Sequence, residues 1–144
     1  MAPKGSPVST AILIADDEPN ILVSLEYLMK REGFTVHLAH DGQEALDVLR
    51  RERPRLVLLD VMMPRKTGFE VCQEVRQDEA LRETLILMLT AKGRETDVVK
   101  GLALGANAYM TKPFSTRELV LKVRDLLGEA PPGADGGNGN GNGG

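Results

Sequence analysis

Two hydrophobic periods alternate along this chain. Short apolar runs stand at Ala11–Ala15 (AILIA), Phe34–Ala39 (FTVHLA), Leu56–Leu59 (LVLL), Leu85–Leu89 (LILML) and Asn107–Met110 (NAYM). The first four are rich in branched aliphatics and bounded by turn residues, which predicts strands; the fifth has the weakest pattern. Between them the apolar residues take helical spacing. Ile21, Leu22, Leu25, Leu28 and Met29 predict a first helix stopped by Gly33, and Ala45, Leu46, Val48 and Leu49 a second ended by Pro54. Phe69, Val71, Cys72 and Val75 predict a third, and Val98, Val99, Leu102 and Ala103 a fourth with Gly105 as its C′ residue. Leu119, Val120, Val123, Leu126 and Leu127 predict a fifth; Ser115 and Glu118 have capping-box spacing before it and Gly128 closes it. The order βαβαβαβαβα predicts an α/β fold, a parallel sheet covered by helices on both faces. Runs such as LVLL and LILML are apolar on both sides, as a doubly covered sheet requires.

In such sheets ligands bind beyond the carboxyl ends of the strands, so the residues that follow each strand carry the chemistry. After the first strand come Asp16, Asp17 and Glu18; after the second, His40 and Asp41. Asp60 ends the third, Thr90 ends the fourth, and Thr111, Lys112 and Pro113 follow the fifth. Folded this way, Asp16, Asp17 and Asp60 converge. Two carboxylates about 4 Å apart repel by about 4 kcal/mol at an effective dielectric near 20, so the cluster takes up protons or recruits a cation. Hard oxygen ligands suit Mg²⁺. With Lys112 and the Thr90 hydroxyl alongside, the set suits phosphoryl chemistry, in which one uncommitted carboxylate attacks phosphorus. Each residue alone has a plainer reading: Asp17 as a helix cap, Lys112 as a surface charge, Thr90 as a turn residue, Tyr109 as an edge-strand aromatic, Cys72 as core. The shared position of Asp16, Asp17, Asp60, Thr90 and Lys112 at strand ends favours the joint reading for these residues.

Composition narrows the classes. The chain has 144 residues, enough for one domain, and only 3% are aromatic with no Trp, so the core is aliphatic. Lys and Arg number 18 against 21 Asp and Glu, which is not the basic footprint of a nucleic-acid binder. One cysteine excludes an intramolecular disulfide and a thiolate metal cage, and fits a reducing compartment. No apolar run approaches membrane-spanning length, and the N-terminus lacks a secretory signal pattern. Seven of the 15 glycines fall in the last twelve residues, within PPGADGGNGNGNGG. That composition reads as a flexible tail over 129–144, and the Pro/Gly/Ser-rich residues 1–9 as a loose N-terminus, leaving a folded domain over 10–128.

Five motifs on four separated stretches resemble the receiver domain of bacterial two-component response regulators, of the chemotaxis-regulator type. They are the acidic pair of ILIADDEP, the aspartate of LVLLDVMMPRKTG with Pro64 and Gly68, the threonine of LILMLTA, and the tyrosine and Lys112-Pro113 of GANAYMTKPF. The likeness spans essentially all of residues 10–128. It implies a flavodoxin-like three-layer sandwich with strand order 2-1-3-4-5. It implies that Asp60 is the phosphoacceptor, and that Asp17, Asp60 and the backbone carbonyl of Met62 hold Mg²⁺ (or Mn²⁺), with Asp16 helping through water. Lys112 would pair with the phosphoryl group and Thr90 would shift to bond it. Tyr109 would then turn into the vacated space. Pro64 and Gly68 would shape the loop after Asp60, and a cis Lys112–Pro113 peptide would aim the lysine. Met62 and Lys92 would influence the lifetime of the phosphorylated state.

The resemblance also implies partners: a sensor histidine kinase or histidine phosphotransfer protein as donor, and a downstream protein target met by the face of the fourth helix, fifth strand and fifth helix. The implied product is a cytoplasmic phosphorelay switch that assists its own phosphorylation and dephosphorylation but is not an enzyme in the ordinary sense. It would be a monomer or a phosphorylation-dependent homodimer, with no nucleic acid or membrane bound directly. Alternatives are a receiver fragment of a longer regulator, a receiver-like scaffold that is never phosphorylated, a flavodoxin-type cofactor binder, or a hydrolase with an aspartyl-phosphate intermediate. The flavodoxin reading needs a phosphate-cradling loop where this chain has Asp-Asp-Glu, and the hydrolase needs a second acid where Met62 stands.

Overall fold

The computed structural model describes residues 9–91 and 93–128. Residues 1–8 of the expected loose N-terminus over 1–9, the tail over 129–144 and Lys92 lie outside the described residues. Five strands and five helices alternate: β1 (Ala11–Ala15), α1 (Pro19–Arg31), β2 (Thr35–Ala39), α2 (Gly42–Glu52), β3 (Leu56–Asp60), α3 (Gly68–Gln77), β4 (Leu85–Ala91), α4 (Glu95–Leu104), β5 (Ala108–Lys112) and α5 (Thr116–Leu127). The sheet order is β2-β1-β3-β4-β5, as expected, and every adjacent pair is parallel.

The unbroken apolar runs follow from having a core on each side. In β1, Ile12 and Ile14 join the core beneath α1 and α5, whereas Leu13 and Ala15 join the core beneath α2 and α3. Leu56 and Leu58 of β3 and Leu87 and Leu89 of β4 face the α1/α5 side; Val57, Leu59, Ile86 and Met88 face the other. A strand alternates faces, so a strand buried on both must be apolar throughout.

Helix ends behave as their residues dictate. Gly105 and Gly128 are left-handed C-caps, with φ of +115° and +76°. The Ser115 hydroxyl accepts from the Glu118 N–H at 2.9 Å. A full capping box, absent from the sequence expectations, stands at Thr67 and Glu70 at the start of α3. Cys72 is fully buried, and its thiol donates to the Leu104 carbonyl at 3.6 Å.

One plainer reading fails and two expectations need correction. Asp17 does not cap α1: the N-cap is Glu18, without a side-chain cap bond, and Asp16 accepts from the Glu18 N–H instead. The strand ends run further than the apolar runs, because parallel pairing continues past the last aliphatic: Thr90 pairs with Thr111 and Ala91 with Lys112. Asp60 ends β3 as expected and Thr90 stands one residue before the end of β4, whereas Lys112, expected to follow the fifth strand, ends β5. The apolar residues of α4 do not form its buried face. Its buried residues are Asp97 and Gly101, while Val99 is 68% exposed and Leu102 43%. Gly101 is the contact point with the sheet: a Cβ there would meet the Met88 side chain at 3.4 Å.

Candidate phosphoryl-transfer site

Strand register builds the site. Ala15 pairs with Leu59 and Asp60 with Leu89, so the residues just past β1 and at the ends of β3 and β4 lie side by side. Asp16, Asp60 and Lys112 each continue the alternation that sends Ile14, Leu58 and Met110 to the α1/α5 side. Thr90 continues the opposite alternation of Ile86 and Met88.

The side chains meet as the strand-end reading predicts. Carboxylate oxygens of Asp16, Asp17 and Asp60 lie within 4.8 Å of one another, with Asp16 and Asp60 buried and Asp17 exposed. The Lys112 ammonium donates to Asp16 at 2.8 Å and to Asp60 at 3.3 Å, and lies 3.6 Å from Glu18. The Lys112–Pro113 peptide is cis.

Electrostatics in this cluster do not cancel. The three carboxylates of the cluster and Glu18 at its rim share one ammonium, which leaves a net negative charge. Burial first, and then the charge of Asp16, push the Asp60 carboxyl up to about 6, against the opposing pull of Lys112. Burial works against the Lys112 ammonium, yet its hydrogen bond to Asp16 and the charge of Asp60 hold its pKa above the ordinary lysine value. The residual charge and the all-oxygen donor set fit a divalent hard cation.

The Thr90 hydroxyl is a second signal. It is buried and, among the described residues, has no hydrogen-bond partner. Such a group costs about 1–3 kcal/mol of desolvation, so its retention calls for a partner supplied from outside. An oxygen-rich anion seated between Thr90, Lys112 and the carboxylates would satisfy it.

Two glycines position the loop after Asp60. The Gly68 N–H donates to the Val61 carbonyl at 2.8 Å, and a Cβ on Gly68 would overlap the Asp60 carbonyl and come within 3.0 Å of Val61 Cα. Its role is close approach rather than a special φ. Gly42, which the motifs did not flag, does the same from α2: a Cβ there would overlap the Lys66 backbone, and its N–H donates to the Pro64 carbonyl at 3.3 Å. Arg65 likewise carries no motif signal, and Glu18, which follows the acidic pair, is distinguished only by its approach to Lys112. Arg65 holds a left-handed φ of +69° in this loop, with its guanidinium 3.5 Å from Asp41. Only spatial neighbourhood marks them.

Other expected residues stand at the rim or beyond it. Met62 is 61% exposed beside the site. Tyr109 pairs with Met88, two residues before Thr90 on the same face, and is 44% exposed. It borders a groove of about 790 Å³ between β5 and α5 that Leu102, Phe114 and Leu121 also line. His37 and His40 lie outside the acidic cluster; each faces a glutamate, Glu52 at 4.0 Å and Glu44 at 3.0 Å.

The response regulator receiver domain family matches residues 12–124, a span containing every residue of this cluster. The chain belongs to that family. As a receiver it is a signalling domain of two-component systems. Solved structures agree in fold and extent. A protein described as a response regulator from Chloroflexus aurantiacus is 34% identical, with 85% of this chain and 100% of that one covered and a TM-score of 0.81. The chemotaxis response regulator CheY4 of Vibrio cholerae is 32% identical, covering 83% and 100%, with a TM-score of 0.79. A CheY-like receiver domain protein of Methanospirillum hungatei is 30% identical, covering 84% and 95%, with a TM-score of 0.78. Among the described residues no helix is long and apolar enough to cross a membrane.

Proposed function

We propose that this receiver accepts a phosphoryl group on Asp60 and relays its presence to the surface formed by α4, β5 and α5. The observation that carries the reading is the constellation itself: three convergent carboxylates, a lysine bridging two of them, and a buried threonine hydroxyl without a partner.

Asp17, Asp60 and the Met62 carbonyl are the groups that would hold Mg²⁺, with Asp16 assisting through water. When bound, the ion neutralises charge on non-bridging phosphoryl oxygens. The donor is a phosphohistidine of a sensor kinase or phosphotransfer protein, or a small acyl phosphate. An Asp60 oxygen attacks phosphorus in line, the new P–O bond forms, and the bond to the donor breaks as the imidazole or carboxylate leaves with the electron pair. Lys112 moves from its carboxylate partners toward the arriving oxygens. Thr90 gains the partner its hydroxyl lacks. The space it leaves is open to Tyr109, its near neighbour on the same face, and the exposed side of α4, β5 and α5 changes shape for a partner protein. Hydrolysis of the acyl phosphate resets the domain.

Labelling tests this directly. With Mg²⁺ and acetyl phosphate, mass spectrometry should place one phosphoryl group on Asp60, and Asp60→Asn should take none. Undiminished labelling of Asp60→Asn would overturn the assignment.

A further inference from the structure

We propose that Arg76 pins the C-terminal end of α4 as a pivot, so that the helix answers the site by swinging its N-terminal end. The inference rests on the switch reading above but concerns residues on the far side of the molecule from Asp60.

The two ends of α4 are held very differently. At the C-terminal end, the Arg76 guanidinium of α3 donates from Nε to the carbonyl of Gly105, the C-cap of α4, at 2.9 Å. From Nη1 it donates to the carbonyls of Arg82 and Thr84, at 2.9 and 2.7 Å, and from Nη2 to Asn107 Oδ1 at 2.9 Å. Asn107 Oδ1 also accepts from the Ile86 N–H at 2.8 Å, which ties the cluster to the start of β4. Cys72 holds the preceding carbonyl, that of Leu104, at 3.6 Å. Gly105 is part of the fit: a Cβ there would lie 2.8 Å from Arg76 Cγ. A planar guanidinium with fixed donors suits such a junction, and a lysine could not span these acceptors.

At the N-terminal end little holds the helix. The N-cap Arg94 makes no side-chain cap bond. Among the described residues, buried Asp97 is paired only within the same turn, to Arg94 at 3.1 and 3.3 Å. Among the described residues, the one hydrogen bond from 93–99 to another element is the Arg94 N–H to Ala91, in the strand it leaves. The Lys100 ammonium over the Phe69 ring, at 4.5 Å, is the next tie along. The free end is the one joined to Thr90 through the β4–α4 connection. A ten-residue helix is about 15 Å long, so a swing of about 10° at the pivot carries its first turn about 2.5 Å. Exposed Val99 travels with the free half while Leu102 stays near the pivot.

Amide exchange followed by NMR on the full chain tests this in two arms. In the first, with no addition, Arg76→Met should raise exchange of Ile86, Ala106 and Asn107 about tenfold and leave α1 unchanged. Unaltered exchange at those amides would overturn the pin. Should Arg76→Met fail to fold, Arg76→Lys retains the charge without the fork, and the same amides are read. In the second, beryllofluoride with Mg²⁺ is added and its bound ¹⁹F signal is followed. Perturbation in the wild type should be greatest at residues 94–98 and fade before 102–107; in the variant it should extend through 107. A wild-type response as large at Gly105 as at Arg94 would overturn the pivot. Absence of a bound ¹⁹F signal would count against the phosphoacceptor reading instead, and the first arm would still decide the pin.

Discussion

The carboxyl ends of β1 and β3 and the flank made by α4 and β5 obey opposite rules. Every residue of β3 is buried, as are four of the five in β1, and the site grows from those strands. Along β5 exposed and half-buried residues alternate, and α4 turns Val99 and Leu102 outward. Chemistry that needs carboxylates held a few ångströms apart, against their own repulsion, sits on the part with two packed cores. The part that must present a changed surface sits at the sheet edge, where rearrangement breaks few contacts. The difference teaches that rigidity and responsiveness are divided across the sheet.

The contrast is sharpest in side-chain truncation. Leu58→Ala, deep beneath α1 and α5, should cost about 3–4 kcal/mol in urea unfolding; a loss below about 1 kcal/mol would break the picture of a rigid centre. Gly68→Ala should cost about 3 kcal/mol, because the added methyl has only backbone to displace. It should also weaken binding of beryllofluoride, since the Asp60 carbonyl must move.

Asp60 tests the cost of the site through pH. Its pKa is raised from 3.8 to about 6, so the folded state binds the proton more tightly than the unfolded chain. Stability contributed by this group is therefore full below about pH 4 and is lost as pH rises through about 6. In metal-free buffer at pH 7, Asp60→Asn should be more stable than the wild type by about 2–3 kcal/mol, an advantage that shrinks toward pH 4. A variant of equal stability at pH 7 would show that Lys112 already neutralises the cluster.

Smaller effects probe the link between the regions. Thr90→Val removes an unpartnered buried hydroxyl at nearly constant volume, so the resting protein should gain about 1 kcal/mol in thermal unfolding. The same variant should uncouple Tyr109 from the site, leaving its ring resonances unmoved by beryllofluoride. Smallest of all, Leu102→Ala should change stability by less than about 0.5 kcal/mol while weakening any partner that reads this flank.

Much of this was legible in the residue order. The alternation of runs predicted every element, and of the polar residues that close the runs, Asp16, Asp17, Asp60 and Lys112 meet whereas His40 does not. Two features resisted for the same reason. α4 was recognised through Val98, Val99, Leu102 and Ala103, but the buried residues are Asp97 and Gly101. Periodicity reports which residues share a helical face, not whether a neighbour covers that face. Gly42 likewise looks like any helix-start glycine until the Lys66 backbone is found where its Cβ would be.

By itself the sequence determined the local and the repetitive: strand and helix identity, the aliphatic double core, the caps at Ser115, Gly105 and Gly128, and an acid, hydroxyl and lysine set at strand ends. These depend on side-chain type and spacing along one chain. Tertiary structure decided what depends on meeting across the sheet. It placed Lys112 between Asp16 and Asp60, left the Thr90 hydroxyl without a partner, raised Asp60 by burial and by Asp16, and tied one end of α4 through Arg76. Each of these is an energy of proximity between residues far apart in the chain, and proximity exists only once the strands are in register.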